Sequence, residues 1–520
     1  MLSSVVLSLL VVAAAADPPA ADFVIRGATI YDGSGKPGVQ GDLAIAGARI
    51  LAVGEFKGIV KGQVIDGTGL VVAPGFIDLH THSDQPIVLP ATRANLNYLT
   101  QGVTTIVTAN CGFGPVDVAD FLKQIDAGKA GSNVVHQVPH NFLRRQVVGN
   151  ADRPITKDEL GKMKALVDAG MRAGAWGLST GLYYTPGSYA QLDEVVELAK
   201  VAAAHGGFYA SHIRDEGAGV LPAVQEAITI GQRAGLPVHI SHMKAYSRRA
   251  WGKAADAIGL VEQARAKGQA VTADQYPYVA SSTSLAADVI PAVYRTGSQQ
   301  DLANRLTDAE QGPKIRQEIQ RLVADSADGK AIRIARYLPR PDWHGKDLAT
   351  IAAEEKKTPV DIVVEIERNG DAQIVHFSMQ EEEVRLIMKQ PFVATASDGA
   401  ARVPDEEMPH PRHYGTFPRK IGRYAIDEKV ISLEQAIRSA SGLPADILRL
   451  PQRGYLKAGF VADVVVFDPL TFRDTATFDK PHQYATGVRY LFVNGVPAIH
   501  EGKFTGALAG KALRHPGKAP

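Results

Sequence analysis

The feature that most constrains this chain is a repeated order through its middle, in which short apolar runs alternate with helix-compatible stretches. Short apolar runs that alternate with helices are typical of parallel sheets with crossover helices, and eight such repeats predict a closed (β/α)₈ TIM barrel of the α/β class. The eight predicted strands are 76–80, 104–110, 134–139, 176–179, 208–212, 238–242, 270–275 and 392–396.

The segments on either side of this region have a different character. Residues 22–74 and 446–515 consist of short β-rich runs separated by glycine-containing turns, which is typical of antiparallel sheet. We expect the two segments to form one small β-sandwich domain, with the barrel at residues 75–445. Residues from about 285 to 344 are longer and more charged than a normal crossover, so we expect an inserted subdomain or lid before the last barrel strand.

The first residues predict an exported protein. An apolar run at residues 5–12 is followed by small residues that suit cleavage after Ala16, so residues 1–16 are interpreted as a signal peptide. This run is well short of the roughly 20 residues that span a bilayer, and no later stretch qualifies, so no stable membrane association is expected. The expected location is periplasmic or secreted. Because the chain contains one cysteine, Cys111, it has no internal disulfide.

Charge excludes some classes of partner. The chain has 56 basic and 55 acidic residues, a formal net charge of +1, and therefore no electrostatic case for binding nucleic acid or an anionic surface. We expect a small-molecule partner that is recognised locally. The oligomeric state is not predicted.

Polar side chains gather at one end of the predicted barrel, where the active sites of such barrels assemble. His80 and His82 flank one threonine at the end of the first strand, so both imidazoles point to the same side and can converge on one ion. Imidazole nitrogens and a thiolate suit Zn²⁺, although cobalt or nickel fits the same ligands. The residues at the strand ends are His80, His82, Cys111, His212, His242 and Asp398.

Each of these residues has an ordinary structural interpretation when taken alone. A single histidine is most often a surface residue or a satisfied core residue, and a single cysteine usually behaves as a small buried hydrophobe. Their occurrence together at successive strand ends favours a metal site. Cys111 also lies between an apolar strand and a glycine-rich turn, which favours coordination by its thiolate.

Seven motifs point to one family. The chain resembles the N-acyl-D-amino-acid deacylase (D-aminoacylase) family of the amidohydrolase superfamily over nearly its full length, from residue 22 onward. The motifs, in order, are "GFIDLHTH", "ANCGFG", "STGLYYTPG", "ASHIRDE", "ISHMKA", "YPYVASST" and "HPRHYGTFPR".

The resemblance implies a role for each matching residue. It implies a tight zinc held by Cys111, His212 and His242, and a weaker second site formed by His80 and His82 with Cys111 shared. Asp398 matches the family's catalytic carboxylate, and the insertion matches a small mobile subdomain. His140 matches a family histidine after the third strand. The positions that match substrate-binding residues are Tyr184, Lys244, Tyr276, Ser282 and Arg412.

The implied reaction is zinc-dependent hydrolysis of an N-acyl-D-amino acid to a carboxylate and a free D-amino acid. A metal-activated water attacks the amide, with Asp398 as general base and acid. Related cyclic-amide hydrolases bridge two metals with a carboxylated lysine on the fourth strand, but "AWGLSTGLYY" has no lysine, so the bridging role falls to Cys111. The alternatives are a dipeptidase or cyclic-amide hydrolase of the same superfamily, and a binding protein that has lost its metal.

Overall fold

The computed structural model describes residues 19–517, so the signal peptide predicted at residues 1–16 lies outside the described residues. Among residues 19–517, no helix has both the length and the apolar character needed to cross a membrane. The strands are β1 (Ala20–Ile30), β2 (Val39–Ala46), β3 (Arg49–Gly54), β4 (Ile59–Asp66), β5 (Val71–Pro74), β6 (Phe76–Asp78), β7 (Val103–Thr108), β8 (Asn133–His136), β9 (Val138–Pro139), β10 (Gly177–Gly181), β11 (Phe208–His212), β12 (Val238–Ile240), β13 (Val271–Gln275), β14 (Ala280–Ser284), β15 (Ile332–Arg336), β16 (Gln373–Phe377), β17 (Val393–Thr395), β18 (Val464–Phe467), β19 (Val488–Val493), β20 (Val496–His500) and β21 (Lys503–Phe504).

Helices connect most of these strands, and a π-helical segment, Arg419–Asp427, follows the fourteenth α-helix. The α-helices are α1 (Leu96–Leu99), α2 (Val118–Gly128), α3 (His140–Val147), α4 (Lys157–Arg172), α5 (Leu192–Ala204), α6 (Val220–Ala234), α7 (Ala254–Ala266), α8 (Leu285–Val289), α9 (Gln299–Thr307), α10 (Gln311–Asp325), α11 (Leu348–Glu355), α12 (Pro359–Arg368), α13 (Glu381–Met388), α14 (Arg412–Pro418), α15 (Leu433–Ala440) and α16 (Gly442–Leu448).

The centre of the molecule is a parallel barrel with eight strand positions. Its strands pair in the orders β6-β7-β8 and β9-β10-β11-β12-β13-β17, and β8 and β9 together make the third position. A parallel bridge between Thr81 and Gly399 joins the first position to the eighth. All six residues of β7, "VTTIVT", are buried, as expected for a strand covered on both faces. The predicted α/β barrel is confirmed.

The crossover helices begin and end at residues that suit those positions. Helix α4 begins with a capping box. The Thr156 side chain accepts a hydrogen bond from the Glu159 backbone N–H, and the Glu159 side chain accepts one from the Thr156 backbone N–H. Helix α6 ends at Gly235, whose φ of +72° is a conformation that favours glycine. These local signals set where the two crossover helices begin and end.

Both ends of the chain contribute to one nine-stranded sheet beside the barrel. Its order is β21-β20-β19-β18-β5-β1-β2-β3, with β4 beside β1. Alternate residues of β18 face two cores: Val465 packs into the barrel core, whereas Val464 packs with Leu43 and other residues of the small domain. The segment after β21 differs from the predicted sandwich boundary of 446–515, because Gly510 and Ala512 form bridges with residues of the barrel. This tail has no alternating pattern that would extend the sheet.

The inserted subdomain extends beyond the predicted limits of about 285–344. It runs from β14 to β16, residues 280–377, and its antiparallel sheet has the order β14-β16-β15. Helices α8 to α12 pack around a separate core that includes Trp343 and Ile366. Helix α13 is the crossover before β17. Helical periodicity alone does not show on which core a helix packs. The sequence therefore does not assign α11 and α12 to the insertion.

Candidate metal centre and active site

The predicted site residues lie together at the carboxyl end of the barrel. His80 and His82 follow β6 directly, Cys111 follows β7, and His212 is the last residue of β11. His242 and Asp398 lie two and three residues beyond β12 and β17. Five of the six side chains are buried, and His82 is partly exposed. The strand ends therefore bring residues from positions 80 to 398 of the sequence to one place.

Three of these residues have a left-handed backbone. Cys111 has φ +53°, His242 has φ +35° and Asp398 has φ +51°. Such conformations of residues other than glycine cost roughly 1–3 kcal/mol each and cluster at functional sites. Gly181 makes room for the Cys111 turn, because a Cβ atom at position 181 would lie 2.2 Å from the Cys111 carbonyl oxygen.

The Cys111 thiol lies at the centre of three histidines. Its Sγ is 3.3 Å from His80 Nε2, 3.7 Å from His212 Nδ1 and 3.7 Å from His242 Nε2. A tetrahedral zinc ion with Zn–S of about 2.3 Å and Zn–N of about 2.0–2.1 Å would place its ligand atoms about 3.5 Å apart. The chemistry and spacing of these donors therefore fit a zinc ion.

A second group of donors shares His80 with the first. Asp398 Oδ1 lies 3.0 Å from His82 Nε2 and 3.4 Å from His80 Nε2. The three side chains could hold a metal ion. The second site was predicted as His80 and His82 with Cys111 shared. In the structure, His80 is the residue common to the two groups, and Asp398 joins His80 and His82 in the second.

The electrostatic environment keeps two key groups ionised. Burial alone would raise the pKa of the Cys111 thiol, but the charge of His80 and hydrogen bonds with two further histidines hold it well below its usual range. Burial would likewise raise the pKa of Asp398, but the Arg412 guanidinium and His80 hold it well below its usual range. Both shifts favour the ionised forms, which are the thiolate of Cys111 and the carboxylate of Asp398.

Arg412 lies beside the carboxylate of Asp398. Its Nη1 is 2.9 Å from Asp398 Oδ2, its Nη2 donates to the Ser282 carbonyl at 3.3 Å, and its guanidinium lies 4.8 Å from the Tyr276 ring centre. Within the described part of the chain, Arg412 Nε and Tyr276 Oη are buried without a hydrogen-bond partner. Burial raises the pKa of Tyr276 well above its usual range, so its hydroxyl stays a donor. These donors suit an anionic group of a ligand.

Two other residues that were predicted to bind substrate, Tyr184 and Lys244, have different surroundings in the structure. Tyr184 Oη lies 3.1 Å from Thr283 Oγ1, on the insertion, and the Tyr184 ring centre is 4.7 Å from that of His212. Lys244 Nζ is 2.5 Å from Glu216 Oε1 and is therefore already paired, which sequence reasoning did not predict. Tyr184 can form part of a pocket wall. Lys244 already donates to Glu216, so fewer of its N–H groups remain for a ligand.

A cavity of about 890 Å³ opens over these groups. Its lining combines residues of the barrel, including His82, Tyr184 and Arg412, with residues of the inserted subdomain, including Ala335 and His376. The cavity is large enough for a small-molecule ligand. The inserted subdomain therefore forms one wall of the site.

Two buried carboxylates near the predicted metal ligands, Glu216 and Asp274, were not predicted from the sequence. Glu216 lies beside His212 and His242, and Asp274 Oδ1 accepts a hydrogen bond from the His242 backbone at 2.6 Å. Asp274 Oδ2 also lies 2.8 Å from His239 Nε2. The available signal was their position, since each is a charged residue at or just after the end of a barrel strand.

His140, which matches a family histidine, lies away from the cavity. It is fully buried, and its Nε2 lies within hydrogen-bond distance, 3.0 Å, of Glu194 Oε1. Arg144 Nε donates to the same oxygen at 3.2 Å. This buried network fastens α3 to α5, so His140 has a structural role in the described chain.

Comparison with known proteins agrees with the site. Residues 63–499 match the model of the amidohydrolase family. The chain is 36% identical to D-aminoacylase from Alcaligenes xylosoxydans xylosoxydans over 515 residues, which cover 95% of this chain and 97% of that protein. A crystal structure of D-aminoacylase superposes with a TM-score of 0.83 at 34% identity, covering 95% of this chain and 100% of the other.

A further solved structure carries a metal and an inhibitor. It is N-acyl-D-glutamate deacylase from Bordetella bronchiseptica in complex with zinc and a phosphonate that mimics the tetrahedral intermediate. It superposes with a TM-score of 0.81 at 32% identity, covering 95% of this chain and 100% of the other. The agreement in fold and in sequence over nearly the full length of these relatives leads to one conclusion: the chain belongs to the D-aminoacylase family of the amidohydrolases.

Proposed function

We propose that this protein is a zinc-dependent hydrolase that cleaves N-acyl-D-amino acids to a carboxylate and a free D-amino acid. The observation that carries the proposal is the convergence of a buried thiolate with three imidazoles beside Asp398 and Arg412. This set combines metal ligands, a proton acceptor and an anion-binding group within one cavity. The similarity to D-aminoacylase over nearly the whole chain supports the same reaction.

We infer that Cys111, His212 and His242 hold the tight zinc, and that His80 and His82 contribute to a weaker second position. Bound zinc polarises an amide carbonyl and lowers the pKa of water. Asp398 is held as a carboxylate and lies 3.0 Å from His82, at the edge of the metal centre.

Asp398 is therefore placed to take a proton from the attacking water. The same carboxyl group then delivers the proton to the leaving nitrogen, since an amine leaves only after protonation. Arg412 keeps the carboxylate ionised in the resting enzyme through its contact at 2.9 Å.

The substrate's α-carboxylate is proposed to bind the free donors of Arg412 and Tyr276. In the described structure, Arg412 Nε and Tyr276 Oη are buried without a hydrogen-bond partner. A carboxylate could accept a hydrogen bond from each of them. Ser282 would help through its place beside Arg412, and Tyr184 would form the wall next to His212. The substrate would then be held at three points: the metal, the donors that bind its carboxylate, and the wall formed by Tyr184. Three points of contact distinguish the two enantiomers of a substrate.

The alternative of a cyclic-amide hydrolase receives less support. A crystal structure of D-hydantoinase superposes with a TM-score of 0.56 at 15% identity, which shows a shared fold and no more. Strand β10, "GLSTG", also has no lysine for a carboxylated bridge. Assays of N-acetyl-D-methionine, a hydantoin and a dipeptide in parallel test the choice. The proposal predicts turnover of the first, and faster cleavage of either other compound would contradict it.

Handedness gives a more demanding prediction. Exchange of the side chain and hydrogen at the α-carbon would drive an L side chain into the wall or remove the carboxylate contact. A lost charge-assisted contact costs about 1.5–3 kcal/mol, so we expect N-acetyl-D-amino acids with apolar side chains to react at least roughly tenfold faster than the L forms. Initial rates for paired enantiomers measure this ratio. Equal rates would refute a D-specific deacylase.

Removal of the Arg412 guanidinium should weaken substrate binding and the preference for the D form. We expect Arg412→Ala to raise KM by roughly tenfold or more, because one charge-assisted contact is lost. Arg412→Lys keeps the positive charge but loses the planar, two-pronged guanidinium. Its KM should therefore lie between those of the wild type and Arg412→Ala. Steady-state kinetics on both enantiomers separate KM from kcat. An unchanged KM in Arg412→Ala would remove Arg412 from the carboxylate site.

A further inference from the structure

We propose that Glu216 is a positioning residue that holds both histidines of the tight zinc site from behind and strengthens metal binding. Glu216 follows β11 and is buried, and its carboxylate faces His212, His242 and Lys244. The inference concerns metal binding by this chain and rests on the zinc site of the proposed function.

The decisive observation is which ring nitrogens face Glu216. Cys111 Sγ lies nearest to His212 Nδ1 and His242 Nε2. The other nitrogen of each ring faces Glu216: Oε1 is 2.9 Å from His242 Nδ1, and Oε2 is 3.5 Å from His212 Nε2. Each imidazole therefore lies between the thiolate on one side and Glu216 on the other. In this arrangement Glu216 contacts the outer nitrogens and leaves the inner nitrogens free for the metal.

Zinc on the inner nitrogens would leave the N–H of each neutral ring on the outer nitrogen, which faces Glu216 and, for His242, also Lys244. A neutral imidazole carries one N–H and one lone pair, and a metal takes the lone pair. A carboxylate behind the ring accepts the N–H, which holds the ring orientation and makes the opposite nitrogen a stronger ligand. Glu216 places one oxygen near each ring: Oε1 lies within hydrogen-bond distance of His242 Nδ1, whereas Oε2 faces His212 Nε2 at 3.5 Å without a hydrogen bond in the described structure.

Lys244 explains how a buried carboxylate is tolerated here. Its Nζ is 2.5 Å from Glu216 Oε1 and 2.8 Å from His242 Nδ1, so the negative charge has a cationic partner within the protein. The Lys244 ammonium also lies 5.6 Å from the Tyr276 ring centre. Lys244 is thus placed to anchor Glu216, in addition to any contact with the substrate.

Zinc affinity tests the proposal directly. Metal-free full-length protein is titrated with zinc against a chromogenic chelator, for the wild type and for Glu216→Gln. We expect the dissociation constant for the tight zinc to rise by roughly 10–100-fold in Glu216→Gln, since that is the usual effect of removing such a partner. Glu226→Gln serves as the matched control, because Glu226 pairs with Arg214 and contacts no metal ligand, and it should bind zinc like the wild type.

A double variant separates positioning from simple charge balance. Glu216→Gln leaves Lys244 buried without its anion, so Glu216→Gln/Lys244→Met removes both charges and should fold as the wild type does by circular dichroism. Weak zinc binding in the double variant supports positioning by Glu216. Wild-type affinity in the double variant, or in Glu216→Gln, would overturn it. Absence of zinc binding by the wild type would overturn the proposed function as well.

Discussion

Asp398→Asn is expected to lower kcat by roughly 10²–10⁴-fold while the tight zinc stays bound. Asparagine keeps the size of the side chain and much of its hydrogen bonding, but it cannot accept a proton from the attacking water. Asp398 shares a donor group with His80 and His82 and with none of the three proposed ligands of the tight zinc, so the tight site should keep its metal. Steady-state kinetics and metal analysis of the same preparation measure both results.

The control for this variant is another carboxylate near the cavity. Asp405 pairs with Arg402 and is partly exposed, so Asp405→Asn should keep nearly full activity. An unchanged kcat in Asp398→Asn would show that a different group accepts the proton. Loss of the tight zinc along with activity would instead make Asp398 a ligand of that ion.

Cys111→Ala should abolish activity and lower the bound zinc. The Cys111 thiolate is the donor that lies within 3.3–3.7 Å of three imidazoles, so its removal takes away the ligand that the others surround. The fold should survive, because the change removes a small side chain from a barrel with a large core. Zinc per chain, circular dichroism and turnover are measured on one preparation.

Cys111→Ser provides a graded comparison. A hydroxyl is a weaker zinc ligand than a thiolate, so this variant should bind zinc more weakly than the wild type and more tightly than Cys111→Ala. A Cys111→Ala protein with full zinc and most of its activity would contradict the assignment of Cys111 as a bridging ligand.

The parts of the site that follow strand ends could be predicted from the sequence. Two histidines at i and i+2 share one face of an extended segment, and residues after parallel barrel strands meet at one end of the barrel. That argument predicts one cluster of six residues, namely His80, His82, Cys111, His212, His242 and Asp398. It required only the strand pattern and the residue types.

Pairings between side chains could not be predicted in the same way. The contact of Arg412 with Asp398 joins α14 to the loop after β17, and the contact of Lys244 with Glu216 joins two separate strand ends. Such contacts depend on rotamers and on the left-handed turns that carry Cys111 and Asp398, and no local pattern encodes them. Glu216 was therefore visible as a residue of "ASHIRDE", but its place behind two imidazoles was not.

The limits of the insertion show the same distinction. Its antiparallel sheet pairs β14 with β16, which are separated by about ninety residues of the sequence. Helices α12 and α13 have similar amphipathic patterns, although α12 packs on the core of the insertion and α13 packs on the barrel core. Periodicity predicts each helix, whereas the choice of core is a tertiary property.

The central claim is that one tightly bound zinc ion makes this protein a hydrolase of N-acyl-D-amino acids. The most direct test is a titration of metal-free enzyme with zinc while the hydrolysis of N-acetyl-D-methionine is followed. The account predicts no turnover without metal and a rise in rate that reaches its maximum at about one zinc ion per chain. Full activity of the metal-free protein, or zinc binding without hydrolysis, would contradict it.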